Sequence, residues 1–279
     1  MDVRIRAAAS HALGLSVLRR CSDVLRPHGI YAMPLKGLWL QSYVYERPEE
    51  RSITDVDVIV PETAFKQAQG ALQSAGFSAR NANASEVALY ARDLPLPIDL
   101  HARLFMPGAF ALPTHALFAR ASAPVELAGA HVVLPDPVDA FCHLVGHFVK
   151  SRCRPDDARR TRDFVEVARR FGLSAGHIAT RLETAGMARA ARYALGHLAA
   201  GDALFAEVLA ALPHDPAGEL LARACSHARM GERMAGVRPS LVGRAAQALP
   251  GFLLERSLPA AGKALLLRVV SLSADKPHT

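Results

Sequence analysis

The chain has 279 residues, 51% of them hydrophobic and 21% charged. That balance excludes an intrinsically disordered protein and suffices for one substantial core or two modest ones. The net charge of +7 admits a polyanionic partner such as an NTP or RNA, while an aromatic content of 6% argues against an RNA-stacking platform.

The four cysteines, Cys21, Cys142, Cys153 and Cys225, form no CxxC pair. This argues against a zinc cluster and fits reduced thiols in a cytoplasmic protein. No run of about 18 apolar residues exists, so no membrane span is expected.

Arg4 and Arg6 precede a mainly apolar run to Leu18. His11, the missing small-residue cleavage signal and Arg19-Arg20 argue against a signal peptide. Ile5, Ala8, Ala12, Leu15 and Leu18 recur at helical spacing and predict an amphipathic helix ending near Pro27-His28-Gly29. Ile30 to Met33 then predicts a short strand leading into Pro34-Leu35-Lys36-Gly37.

Gly37 permits a turn that a side chain would obstruct, and a helix over 38–45 follows. Free N–H groups at such a helix start suit a phosphate; the bland alternative is a plain strand-to-helix turn. The glycine spacing is not that of a Walker loop. A polar loop runs to Arg51, four residues before Asp55. Arg51 reads either as a surface arginine paired with Glu49 or Glu50, or as a residue of a phosphate site.

Over 54–60, Asp55 and Asp57 alternate with Val56, Val58 and Val60. Strand geometry sends the valines to a core and both carboxylates to the opposite face, about 7 Å apart along the backbone. Adjacent carboxylates repel unless a cation lies between them, and a hard divalent ion suits their oxygens. A helix beginning at Pro61 carries Phe65, Ala68 and Leu72 and ends near Gly76.

Strands are predicted at 77–80, 87–92 and 96–100. In the last, Leu96, Ile98 and Leu100 share one face, and Asp99 and His101 the other. Asp93 reads as a turn residue before Leu-Pro. Asp99 alone could be an edge carboxylate, and His101 either structural or the orienter of a carboxylate or substrate. Together, three carboxylates on two strands behind a Gly turn are the parts of a two-metal phosphoryl-transfer site.

Residues 105–135 are rich in proline and small residues, with a hairpin predicted from Val125–Leu127 and His131–Leu134. The texture then becomes helical, which sets a domain of residues 1–135 before an all-helical one of 136–279. A helix at 137–150 carries His143 and His147 at i, i+4, but without the glutamate of HExxH or a third ligand. They read as polar-face or hydrogen-bonded histidines rather than zinc ligands.

Residues 151–155 form a basic connector, and Asp156 and Asp157 open a helix ending in Arg169-Arg170. Its predicted inward stripe is Phe164, Val165, Ala168 and Phe171. Asp163 either pairs with Arg159 or holds a site arginine from behind. Helices near 175–185, 187–200, 201–212, 215–232 and 239–255 complete a bundle, followed by a polar tail at 272–279.

The pattern Leu35-Lys36-Gly37, Arg51, Asp55-x-Asp57 and Ile98-Asp99-Leu100-His101 resembles the uncharacterised branch of the nucleotidyltransferase superfamily. That superfamily includes polymerase beta and the aminoglycoside nucleotidyltransferases. The His143-to-His147 and Arg160-to-Asp163 helices resemble its helical half, and the likeness spans roughly residues 10 to 200.

The resemblance implies an α+β fold, with an N-terminal mixed sheet flanked by helices and a helical domain closing the cleft. It implies transfer of a nucleoside monophosphate from an NTP to an acceptor hydroxyl or phosphate, releasing pyrophosphate. Asp55, Asp57 and Asp99 would hold Mg²⁺, or Mn²⁺ in its place, and Lys36, Gly37, Arg51 and His101 would meet the nucleotide. Much of the superfamily has Gly-Ser or Gly-Gly at the turn; here Lys36-Gly37 stands there, so the lysine charge would replace a serine contact.

The acceptor could be a peptide, an RNA end or a small molecule, and nucleic acid stays open as a partner. A non-catalytic NTP- or RNA-binding module and a metal-dependent phosphohydrolase are the competing readings.

Overall fold

Alternation of valine with aspartate over residues 55–60 places one central strand, and the rest of the sheet is built outward from it. The computed structural model describes residues 3–151, 153, 157–216, 218–220 and 254. Five strands form one sheet: β1 (Met33–Pro34), β2 (Val56–Ile59), β3 (Ser78–Arg80), β4 (Glu86–Tyr90) and β5 (Ile98–His101). Their order is β1-β2-β5-β4-β3, with β2 and β5 parallel and the other pairs antiparallel. The predicted mixed sheet flanked by helices is therefore the observed α+β architecture.

Period-two alternation works as expected across the sheet. Val56, Val58 and Val60 join Val87, Leu89, Ile98 and Leu100 in one apolar layer. Against it pack α1 (Val3–Leu25), through Val17, Leu18, Cys21 and Leu25, and α3 (Phe65–Ser74), through Phe65, Ala68 and Leu72. Fully burying each large aliphatic or aromatic side chain contributes about 1.5–3 kcal/mol, so this layer anchors the opposite, polar face of the sheet. A second hairpin, β6 (Val125–Leu127) and β7 (Ala130–Val132), turns through Ala128 and Gly129, both at positive φ (49° and 84°).

Several elements depart from expectation. On α1, Ala8 and Ala12 are exposed, and the inward face runs through Ala7, Gly14, Val17, Leu18, Cys21 and Leu25. Gly14 explains the rotation: a Cβ there would stand 2.7 Å from Ile53 Cδ1, so the missing side chain lets α1 approach. Ser22 locks that placement by exchanging hydrogen bonds with the His131 backbone, accepting from N–H at 2.8 Å and donating to C=O at 3.1 Å.

Strand β1 is only two residues long, because Ile30 and Ala32 enter the core without ladder pairing. The helix expected at 38–45 begins two residues earlier: α2 (Lys36–Trp39) continues into a π-helical turn, Leu40–Val44.

Contacts divide the chain into a unit of residues 1–104, 112–140 and 169–171 and another of 105–111, 141–168 and 172–279. The first holds the sheet, both hairpin strands and α4 (Thr114–Ala119). The second is helical wherever it forms regular structure among the described residues. It includes most of α5 (Pro137–Lys150) and α6 (Ala158–Phe171), with α7 (Ala175–Thr184), α8 (Ala188–Leu195) and α9 (Ala203–Ala211). Phe141, Phe148, Phe164, Tyr193 and Phe205 pack there with ring centroids 5.6 to 6.3 Å apart.

The Asp157 carboxylate caps α6, accepting from the Arg159 and Arg160 N–H groups, each at 3.2 Å. Its inward stripe is Thr161, Phe164, Val167 and Ala168, with Asp163 and Glu166 also buried. Phe171, expected inside, is 37% exposed and stacks on Trp39 at 5.8 Å, because the helix ends there and Gly172 turns the chain away at φ 57°.

The helices expected at 215–232 and 239–255, the tail, Cys225, Asp156 and most of the 151–155 connector lie outside the described residues. Among the described residues no helix is long and apolar enough to cross a membrane.

Candidate active site

Side chains on the polar face of the sheet fall into two rows. Asp57 on β2 stands in register with Asp99 on β5, which faces Ala88 on β4. One step along, Ile59, His101 and Glu86 are aligned in the same way. Neighbouring strands lie about 4.8 Å apart, so parallel pairing alone brings Asp57 and Asp99 side by side. Asp55 sits in the bend before β2 rather than within it, since ladder bonding starts where Val56 N–H donates to Pro97 C=O at 2.9 Å.

The turn into α2 is tied to the same strand. Leu35 N–H donates to the Asp57 carbonyl oxygen at 2.9 Å, which lays Lys36 beside the Asp57 side chain. Lys36 Nζ stands 2.6 Å from Asp57 Oδ1, and His101 Nε2 meets the same oxygen at 3.1 Å. Lys36 adopts φ 40°, a left-handed backbone that costs a non-glycine residue about 1 kcal/mol or more.

The left-handed backbone falls on Lys36 rather than on Gly37. At Gly37 a side chain would indeed obstruct the turn: a Cβ there would stand 2.6 Å from Ile53 Cγ2.

Electrostatics separates the three aspartates. Burial alone would push Asp57 up, but the His101 hydrogen bond and the Lys36 ammonium more than offset it and hold the carboxyl below the usual range. Burial, then the negative charges of Asp57 and Asp55, push Asp99 up to about 6. Asp55 is raised by burial and by Asp57. Asp57 is thus the committed anion of the cluster, and its neighbours carry its repulsion.

Arg51 is 8% exposed, so it is a buried rather than a surface arginine. Glu50 accepts from Arg47 Nε at 2.8 Å. Arg51 Nη1 donates to Ser52 C=O at 3.0 Å, while Gln41 Nε2 donates to Arg51 C=O and, at 3.3 Å, to Pro48 C=O. The π-helical turn aims Gln41 at this loop, and its buried Oε1 has no hydrogen-bond partner among the described residues.

His143 is 5% exposed, with its ring edge-on to Phe105 at 5.9 Å and to His147 at 6.1 Å. Asp163 is buried at 3% exposure.

The structure thus brings Lys36, Asp57 and His101 into contact, with Asp55 and Asp99 close enough to feel Asp57. Glu86 is the residue sequence reasoning missed: its Oε2 stands 3.9 Å from His101 Nδ1. The alternation Glu86-Val87-Ala88-Leu89 marks it as facing away from the core, but only the β4–β5 register aligns it with His101.

A divalent ion suits this donor set chemically, since the carboxylates are hard oxygen ligands and two of them have proton affinity raised by burial and then by mutual repulsion. A cation already stands at Asp57, the Lys36 ammonium. Among the described residues no three His, Cys, Asp or Glu side chains are drawn together as a ligand group.

A mixed α+β fold with carboxylates clustered at its central parallel strands describes a class of protein; the sequence comparison supplies the family. The chain belongs to the uncharacterised nucleotidyltransferase family, whose profile matches residues 2–200. No curated protein sequence matches it.

Among solved structures, it is similar to the antibiotic-resistance factor ANT(2'')-Ia, including its complex with adenylyl-2''-tobramycin. The identity is 11% and the TM-score 0.44, with 61% of this chain and 92% of that one covered in the tobramycin complex. It is also similar to an antigenic nucleotidyltransferase-like protein from Paracoccidioides brasiliensis, at 13% identity and TM-score 0.45, covering 75% of this chain and 97% of that one.

Proposed function

We propose that the protein is a divalent-metal-dependent nucleotidyltransferase that moves a nucleoside monophosphate from an NTP to an acceptor hydroxyl or phosphate. The observation that carries this reading is the in-register pair Asp57 and Asp99 on adjacent parallel strands, with Asp55 at the strand entrance and a cationic side chain on Asp57.

Asp55, Asp57 and Asp99 would hold Mg²⁺, or Mn²⁺ in its place. Such an ion, when bound, supplies charge neutralisation on the triphosphate and acidifies an acceptor hydroxyl. His101 orients Asp57 by donating from Nε2, with Glu86 on the far side of its ring. Asp99, with its raised proton affinity, receives the acceptor proton. The acceptor oxygen forms its bond to the α-phosphorus as the bond to the bridging oxygen of pyrophosphate breaks. Lys36 and Arg51 offset charge on the phosphates, and the Gly37 backbone lies beside them.

The acceptor class is a peptide, an RNA end or a small molecule. Cys21, a buried free thiol, supports a reducing, cytoplasmic setting.

The Lys36–Asp57 ion pair also favours a second reading, a non-catalytic NTP- or RNA-binding module, because a lysine on that carboxylate competes with a metal. Thermal midpoints with each of the four NTPs, with and without Mg²⁺, discriminate on wild type and Asp57→Asn. The enzyme reading expects an Mg²⁺-dependent rise with at least one NTP, lost in the variant, and pyrophosphate release once an acceptor is supplied. A metal-independent rise retained in Asp57→Asn would establish the binding module, and release of free phosphate would indicate a phosphohydrolase.

A further inference from the structure

We propose that Lys36 and a divalent cation are alternative partners of the same Asp57 carboxylate, so that metal binding releases the lysine amine for the triphosphate. The inference deepens the nucleotidyltransferase reading and rests on it. One oxygen, Asp57 Oδ1, receives both Lys36 Nζ at 2.6 Å and His101 Nε2 at 3.1 Å.

The two partners are not equivalent. His101 belongs to β5, its side chain is 7% exposed, and its second nitrogen faces Glu86 at 3.9 Å, so it is held from both sides. The Lys36 side chain is 17% exposed and ends a flexible four-carbon stem. Asp57 is the only ion-pair partner of Lys36 among the described residues. Of the two groups on Oδ1, the lysine is therefore the one able to leave.

The backbone gives an independent reason to regard this side chain as functional. At φ 40° a glycine would be unstrained, yet position 36 carries a lysine directly before Gly37. The strain falls at the position whose head group meets Asp57.

A divalent ion and an ammonium cannot share a half-desolvated carboxylate cluster without strong repulsion, so the ion binds at the expense of the Lys36–Asp57 contact. The displaced amine remains at the start of α2 and needs a new anion. The triphosphate provides one, which makes metal and nucleotide mutually reinforcing ligands.

The test measures Mn²⁺ alone, by the electron paramagnetic resonance signal of the free ion, on wild type, Lys36→Met, Lys36→Gln and Asp57→Asn. Removing the competing amine is expected to tighten Mn²⁺ binding about tenfold in both Lys36 variants, while Asp57→Asn loses it. On wild-type protein, which needs no variant to fold, Lys36 acetylation by an N-hydroxysuccinimide ester is read by mass spectrometry. Labelling is expected to rise severalfold when Mn²⁺ is added.

Mn²⁺ binding that depends on Asp57 but is unchanged in both Lys36 variants, with constant Lys36 labelling, overturns the exchange and leaves the nucleotidyltransferase reading standing. No Mn²⁺ bound by any form, with or without NTP, overturns both.

Discussion

Asp57 and Asp99 are neighbours in register, yet replacing them should shift stability in opposite directions. Take Asp99→Asn in EDTA. Its carboxyl is raised to about 6 in the fold against an ordinary 3.8. Below about pH 3 the group is protonated in both folded and unfolded chains and costs nothing. As pH rises toward 6 the unfolded chain ionises it first, so folding is penalised, and the penalty is complete above pH 6.

Two units correspond to about 3 kcal/mol at most, and because Asp99 is only half-buried, solvent screening reduces this to about 1 kcal/mol. Asparagine removes the penalty, so the thermal midpoint at pH 7.5 should rise by about 2–4 °C, and the gain should vanish at about pH 3.

Asp57→Asn reverses the sign. Its carboxyl is depressed by His101 and Lys36 against the pull of burial, so it stabilises the fold above the ordinary carboxylate range and loses that contribution as pH falls below it. Leaving the ammonium of Lys36 beside a neutral amide should cost about 2–4 kcal/mol at pH 7.5. Differential scanning calorimetry at both pH values checks the pair. A lowered midpoint for Asp99→Asn at pH 7.5, or a full gain that persists at about pH 3, would refute the assignment of burial and repulsion to Asp99.

Two further substitutions test how the site is supported. Gly37→Ala should cost about 1–3 kcal/mol by overpacking, because the new methyl would meet Ile53 Cγ2 at 2.6 Å; pairing it with Ile53→Ala should recover much of that loss in urea melts. Arg120→Ala should cost about 2 kcal/mol, since it strips the guanidinium, at 2.7 Å, from the wholly buried Asp139 carboxylate, and Asp139→Asn in the same background should restore part of it.

Alternation was legible because it depends only on the two-residue period of a strand. Val56, Val58 and Val60, and Ile98 with Leu100, carry their apolar face wherever the strand goes, so their core placement and the polar placement of Asp57, Asp99 and His101 could be read directly. The inward residues of α3, Phe65, Ala68 and Leu72, were legible for the same reason at the helical period. On α1, Leu15 and Leu18 face the core as the helical period implies, while Ala8 and Ala12 do not. The reason is that the closest approach is set by a missing side chain, Gly14 against Ile53, and a hydrophobicity pattern gives no weight to an absence.

Pairing across the chain was decided by tertiary structure. Parallel register between β2 and β5 puts Asp57 beside Asp99, and antiparallel register between β4 and β5 brings Glu86 to His101; both depend on residues more than ten positions apart in sequence. The Lys36–Asp57 contact follows from a backbone hydrogen bond at Leu35 and a left-handed φ at Lys36, neither of which residue type encodes. The sequence alone determined which groups could carry the chemistry. Only the folded sheet determined which of them share a charge, because Coulomb energy depends on distances that the chain acquires when its strands pair.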